Sequence, residues 1–139
     1  MQRDGVLNEA IAEVGRTGEG RRRPRLCVAT ITHRRPVMLG ALLASFTNVR
    51  SPAGMELCFL VVDNDRRRSA KASVAAFAAS VAGEARYVME PQSGIPFARN
   101  RALNEAHAMG ADFLAFVDDD EIVDADWLVE MIGALRSYA

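Results

Sequence analysis

The sequence predicts an α/β domain: a Rossmann-like, mostly parallel sheet with helices on both faces. Three observations predict it. Short apolar runs alternate with longer segments whose apolar residues recur at helical spacing. The runs are continuously apolar, as strands covered on both faces are. The chain has 139 residues, half apolar and a quarter charged, enough for one compact domain with a real core.

The elements follow in order. Residues 1–24 hold four Gly, an Arg run at 21–23 and then Pro24, and read as a flexible, solvated lead-in. Within it Leu7, Ile11 and Val14 share a face, so a short helix over Val6–Val14 is the other reading, with the Arg run available to anionic lipid. Leu26–Ile31 is the first buried strand. Pro36 opens a helix in which Leu39, Leu42, Leu43 and Phe46 fall on one side. Ser51–Gly54 is a loop, and Leu57–Val62 is the second strand, stopped by Asp63-Asn64-Asp65. Ser69–Val81 is an Ala-rich helix with Val74, Phe77 and Val81 on one face. Ala85–Met89 is a strand and Pro91–Pro96 a loop. Phe97–Met109 is a helix with Gly110 at its C-terminal cap. Phe113–Val117 is the fourth strand, and Asp124 or Asp126 caps a last helix through Leu135. Trp127 is expected to pack under the loop before it. Cys27 and Cys58 lie inside apolar runs and are expected to be reduced core residues.

Charge is unevenly spread. The net charge of -1 argues against a nucleic-acid binder. Residues 1–50 carry nine Arg against four acids, whereas residues 101–139 carry two Arg against nine acids. A pocket near the acidic end would attract a cation, alone or with a polyphosphate. No run of 18 or more apolar residues occurs, and no apolar stretch follows Met1, so the cytoplasm is the expected compartment.

In parallel α/β sheets, ligands bind beyond the carboxyl ends of the strands. Three polar clusters fall there: Thr30–Arg35, Asp63–Asp65 and Asp118–Glu121. Four adjacent carboxylates at 118–121 repel one another unless water or a cation screens them, and hard divalent cations prefer oxygen ligands. Asp63-Asn64-Asp65 is either a plain turn or a set of acceptors for a nucleobase N–H or a ribose hydroxyl. At Thr30–Pro36, hydroxyls and backbone can hold a nucleoside while arginines face phosphate; His33 alone reads as an exposed loop residue. Arg99 and Asn100 sit in a helix first turn, facing either a diphosphate or solvent. Arg66-Arg67-Arg68 reads as a solvated charge run.

These residues carry a resemblance. CVATITHRRP (Cys27–Pro36), FLVVDND (Phe59–Asp65), GIPFARNRAL (Gly94–Leu103) and FLAFVDDDE (Phe113–Glu121), followed by Trp127-Leu128, resemble the family 2 glycosyltransferases of GT-A fold. The bacterial exopolysaccharide glucosyltransferases of the succinoglycan type are especially similar. The resemblance implies that residues 25–139 are a nucleotide-sugar-binding portion. It implies donor contacts from Thr30, Thr32, Arg34, Asp63, Asn64, Arg99, Asn100, Asp118 and Asp119. It makes Asp118–Asp120 a DXD motif, with Asp120 the direct ligand of Mn2+ or Mg2+ and Asp118 both a ligand and near the ribose. The implied reaction is inverting transfer from a UDP-linked sugar to a polysaccharide or lipid-linked acceptor, with peripheral association at the inner face of the membrane. Family members are longer than 139 residues, so the general base is expected beyond residue 139. A non-catalytic nucleotide-sugar-binding module is the alternative.

Other readings lack their signatures. A receiver domain needs a lysine after a late strand, and the sole lysine is Lys71. A P-loop needs a Gly-rich stretch ending in Lys-Ser or Lys-Thr, and a dinucleotide-binding fold needs G-x-G-x-x-G after the first strand; neither occurs.

Overall fold

The computed structural model describes residues 22–138, so the expected Val6–Val14 helix lies outside the described residues. Four strands, β1 (Arg25–Thr32), β2 (Glu56–Asp63), β3 (Glu84–Met89) and β4 (Phe113–Phe116), form one parallel sheet in the order β3-β2-β1-β4. Helices α1 (Pro36–Phe46), α2 (Lys71–Ser80), α3 (Ile95–Ala108) and α4 (Trp127–Ser137) connect and follow them. The predicted fold class stands, with helices on both faces.

Alternation along the strands divides the core in two. Leu26 and Val28 of β1 and Phe59 and Val61 of β2 point to the face covered by α1, α2 and α4. Phe46, Phe59 and Phe77 meet there, with ring centroids 5.2 Å apart for Phe46–Phe59 and Phe59–Phe77 and 6.1 Å apart for Phe46–Phe77. Cys27, Ala29, Cys58, Leu60 and Val62 point to the opposite face, which α3 covers through Ala98, Ala102 and Ala106. One small residue per turn lets that helix lie close to the sheet. Cys27 and Cys58 are register partners on adjacent strands, free and buried. Contact with the Cys58 thiol, reinforced by burial, pushes the Cys27 thiol upward. Trp127 packs against the α1/α2/α4 core, as expected.

Boundaries differ where tertiary contacts decide them. Helix α2 starts at Lys71 rather than Ser69: Arg68 is left-handed (φ 58), and the Lys71 N–H donates to the Arg68 carbonyl at 3.1 Å, closing a tight turn over Ser69 and Ala70 before the helix begins. The Asp63 carboxylate, from the end of β2, accepts the Ala70 N–H at 3.0 Å and so caps α2 from outside its own sequence. Helix α3 starts at Ile95, two residues earlier than expected, with Pro96 in its first turn. Gly94 precedes it at φ 132 and ψ 145, a region only glycine holds easily; a Cβ there would meet the Phe97 ring at 3.3 Å. Gly110 (φ 75) follows the C-cap of α3 in the left-handed conformation. Asp126 occupies the N-cap of α4 but makes no capping bond; its carboxylate pairs with Arg50 instead. Among the described residues no helix is long and apolar enough to cross a membrane.

Candidate functional site

The carboxyl ends of β1, β2 and β4 and the start of α3 enclose a cleft of about 400 Å³. Ile31, Thr32, His33 and Arg35 line it from the first loop, Asn64 from the second, Ile95 and Arg99 from α3, and Asp118–Asp120 from the fourth. A larger cleft of about 680 Å³ opens at the opposite, amino edge between Phe46, Met55, Phe59 and Gly83. Its charged lining is Arg23 and Glu56, and none of the three polar clusters reaches it.

The acidic turn is divided by side-chain direction. Asp119 turns inward and is buried; it accepts the Thr32 hydroxyl at 3.0 Å and faces the Arg35 guanidinium at 3.4 Å. Those two partners offset the cost of withdrawing a carboxylate from water. Asp118, Asp120 and Glu121 turn outward, with one oxygen from each lying within 4.8 Å of the others. The Glu121 N–H donates to the Asp118 carbonyl at 3.1 Å, which closes the turn and brings these side chains together. Three exposed carboxylates at such spacing suit a hard divalent cation.

The opposite wall is held by Asn64. Its amide nitrogen donates to the Glu90 and Gln92 carbonyls at 2.9 and 2.8 Å, and its amide oxygen accepts the Gly94 N–H at 3.0 Å. This side chain therefore anchors the loop that starts α3. The Asn64 carbonyl lies 2.7 Å from His33 Nδ1; a carbonyl only accepts, so Nδ1 carries the proton. Arg99, the fifth residue of α3, stacks over Phe116, 5.3 Å from the ring centroid.

The sequence-predicted residues separate into groups. Thr32, Asn64, Arg99, Asp118, Asp119 and Asp120 meet at the cleft. Thr30 and Asp63 are fully buried outside its lining. Asp63 Oδ2 accepts the Tyr87 hydroxyl at 2.7 Å, and burial with that bond pushes the Tyr87 phenol up. Arg34 (φ 53) turns away, its Nε 3.4 Å from Asp65 Oδ1. Asn100 is exposed and outside the lining. Arg35 and His33, rather than Arg34, face the cleft, and Glu121 joins the outward carboxylates. Its adjacency to the triplet was the available signal for Glu121. The backbone reversal at Arg34 that selects Arg35 has no signal in the sequence.

The profile of Glycosyl transferase family 2 matches residues 27–139. The chain belongs to that family. As a family 2 member it is 36% identical over 110 residues to the succinoglycan biosynthesis protein ExoM of Rhizobium meliloti (strain 1021), covering 79% of this chain and 34% of ExoM. It thus spans about a third of the length of that curated relative. Among solved structures, S. aureus TarS 1-349 superposes with a TM-score of 0.65 at 23% identity, over 81% of this chain and 32% of TarS 1-349. The mannosyltransferase PcManGT from Pyrobaculum calidifontis, in complex with GDP-Man and Mn2+, superposes with a TM-score of 0.63 at 18% identity, over 98% of this chain and 40% of its own. At these identities the likeness establishes the α/β, GT-A fold of this family 2 chain.

Proposed function

We propose that this chain binds the nucleotide-sugar donor of an inverting glycosyltransferase that acts on a polysaccharide or lipid-linked acceptor, in the cytoplasm at the inner face of the membrane. The observation that carries the reading is the meeting of Asp118 and Asp120 with Arg35, His33 and Arg99 in one cleft at the carboxyl edge of the sheet, with Glu121 grouped beside the two acids. Asp118, Asp120 and Glu121 would hold Mn2+ or Mg2+, since their exposed carboxylates are the oxygen donors such ions take. When bound, the cation would neutralise charge on the departing nucleoside diphosphate. Arg99 and Arg35 stand where they can pair with the diphosphate. Thr32 and Arg35 hold the Asp119 carboxylate inward, so its outward neighbours are the ones that would hold a cation. The GDP-Man and Mn2+ held by the Pyrobaculum relative support a nucleotide-sugar and a metal. The base is proposed to be uracil on the family resemblance. The general base belongs, in this reading, beyond residue 139.

Calorimetry tests the donor site directly. Manganese-dependent UDP binding is expected, with loss of at least tenfold in affinity for Asp120→Ala. No binding of any nucleoside diphosphate in the presence of manganese would end the reading. The family 2 chain covers about a third of ExoM, which keeps a second reading in view: a binding module that does not itself transfer sugar. A turnover assay with UDP-sugars and the purified chain separates the two.

A further inference from the structure

Helix α3 turns a mixed stripe toward the sheet. Positions 98, 101, 102, 105 and 106 fall on one side of it at helical spacing. Ala98, Ala102 and Ala106 are buried there. The other two positions, where an amphipathic helix would place leucine or isoleucine, are Arg101 and Glu105, both half-buried. Methyl groups form low ridges that interdigitate little with the sheet. Apolar packing therefore fixes the height of α3 above the strands but its place along them only weakly.

Charge supplies the missing constraint. Arg101 Nε lies 3.1 Å from Glu105, and Glu105 lies 3.4 Å from Arg86 of β3. Arg86 pairs with Glu84 at 3.0 Å, Glu84 with Arg25 of β1 at 3.0 Å, and Arg25 with Glu56 of β2 at 3.3 Å. In the other direction Arg101 lies 3.8 Å from Glu90 and donates to the Met89 carbonyl at 3.4 Å. Side chains of alternating sign thus form one ladder, from the amino edge of the sheet to the loop that starts α3. Both ends are tied to backbone. Arg25 donates to the carbonyl of Met109, the C-cap of α3, at 2.8 Å, and the Glu90 carboxylate accepts the Gln92 N–H at 2.9 Å. Every member between the ends has an opposite charge on each side. Ion pairs at a surface contribute chiefly when they form such a network.

We propose that this ladder sets where α3 stands along the sheet, and that Arg101 and Glu105 are thereby positioning residues for the cleft wall that carries Arg99 and Ile95. Neither of the two lines the cleft. Arg101 follows Arg99 within one helical turn, so a slide or rotation of α3 carries the Arg99 guanidinium with it. The effect of that displacement on a bound diphosphate rests on the donor-site reading; the placement of α3 does not.

The test compares hydrogen exchange of the backbone amides of α3 and α1 with calorimetric UDP affinity in the presence of manganese, both on the purified chain. In Glu105→Gln and Arg101→Met, exchange in α3 should quicken relative to α1 on the order of threefold, the size of one lost network pair. UDP affinity should fall on the order of tenfold, as when one charge-assisted hydrogen bond goes out of alignment. Arg101→Lys keeps the charge and should restore most of both. Phe77→Leu, in the ring cluster on the other face of the sheet, weakens the fold without touching the ladder. It should quicken α1 and α3 alike and leave UDP affinity as in the parent. Sodium chloride at about 1 M should move exchange in the parent toward the Glu105→Gln pattern. Exchange in α3 that only keeps pace with α1 in both charge variants would overturn the proposal, as would parental UDP affinity in both. A parent chain that binds no nucleoside diphosphate would end the donor-site reading alone, and the exchange ratio would still decide whether the ladder places α3.

Discussion

Replacing Asn64 by alanine removes three hydrogen bonds at one point, those to the Glu90 and Gln92 carbonyls and from the Gly94 N–H. Each is worth about 1 kcal/mol net in a folded protein. Asn64 is 9% exposed, so water does not simply replace its side chain, although the freed carbonyls on the loop can partly rewet. The expected loss is about 2–3 kcal/mol. In urea that moves the unfolding midpoint down by roughly 1 M with an unchanged slope. Asn64→Asp should cost at least as much. It keeps the acceptor for Gly94 but sets a carboxylate oxygen against two carbonyls. Because the loop starts α3, UDP affinity should fall with both variants, through displacement of Arg99 rather than loss of a ligand contact. Measuring urea midpoints and calorimetric affinity on the same samples checks this. A stability loss under about 0.5 kcal/mol together with abolished UDP binding would refute it, and would make Asn64 a direct donor contact.

Two further predictions concern the fold. Phe46→Ala opens the three-ring cluster at a fully buried position and should destabilise by about 3–5 kcal/mol, read from denaturant titration, whereas Phe46→Leu should cost clearly less. Asp65 titrates as a stabilising group: the Ser69 hydroxyl, the Arg67 N–H and the Arg34 guanidinium bring its carboxyl down to about 2, against the opposing effect of burial. Its folded value lies below the ordinary 3.8, so its contribution is complete above that pH and is lost as pH falls through about 2. Asp65→Asn should therefore flatten the acid limb of stability between pH 4 and 2, followed by circular dichroism; an unchanged limb would show that these partners do not favour the ionised form.

The strands and helices were legible because their apolar periodicity reports directly on burial. Leu39, Leu42, Leu43 and Phe46 recur at helical spacing and are all buried. The convergence of three polar clusters was legible too, since parallel topology alone brings the strand ends to one edge. Side-chain direction within each cluster was not. Nothing in the string Asp118-Asp119-Asp120 says that the middle carboxylate turns inward to Thr32 and Arg35. Nor does Asp63-Asn64 reveal that one residue caps α2 and the other anchors the loop before α3. Those assignments depend on partners far along the chain. The same holds for Asp126, whose sequence position suits a cap but whose carboxylate is claimed by Arg50.

The small residues beneath α3 have a bearing on recognition that no ligand contact would reveal. Ala98, Ala102 and Ala106 are all but inaccessible and set how near the helix axis rests to the sheet. Arg99 and Ile95 ride on that helix as one wall of the cleft. A bulkier side chain at any of the three would wedge the helix outward and carry that wall with it. The gauge of the cleft, and so the girth of the molecule it can admit, is thus calibrated from behind by methyl groups that never touch the guest.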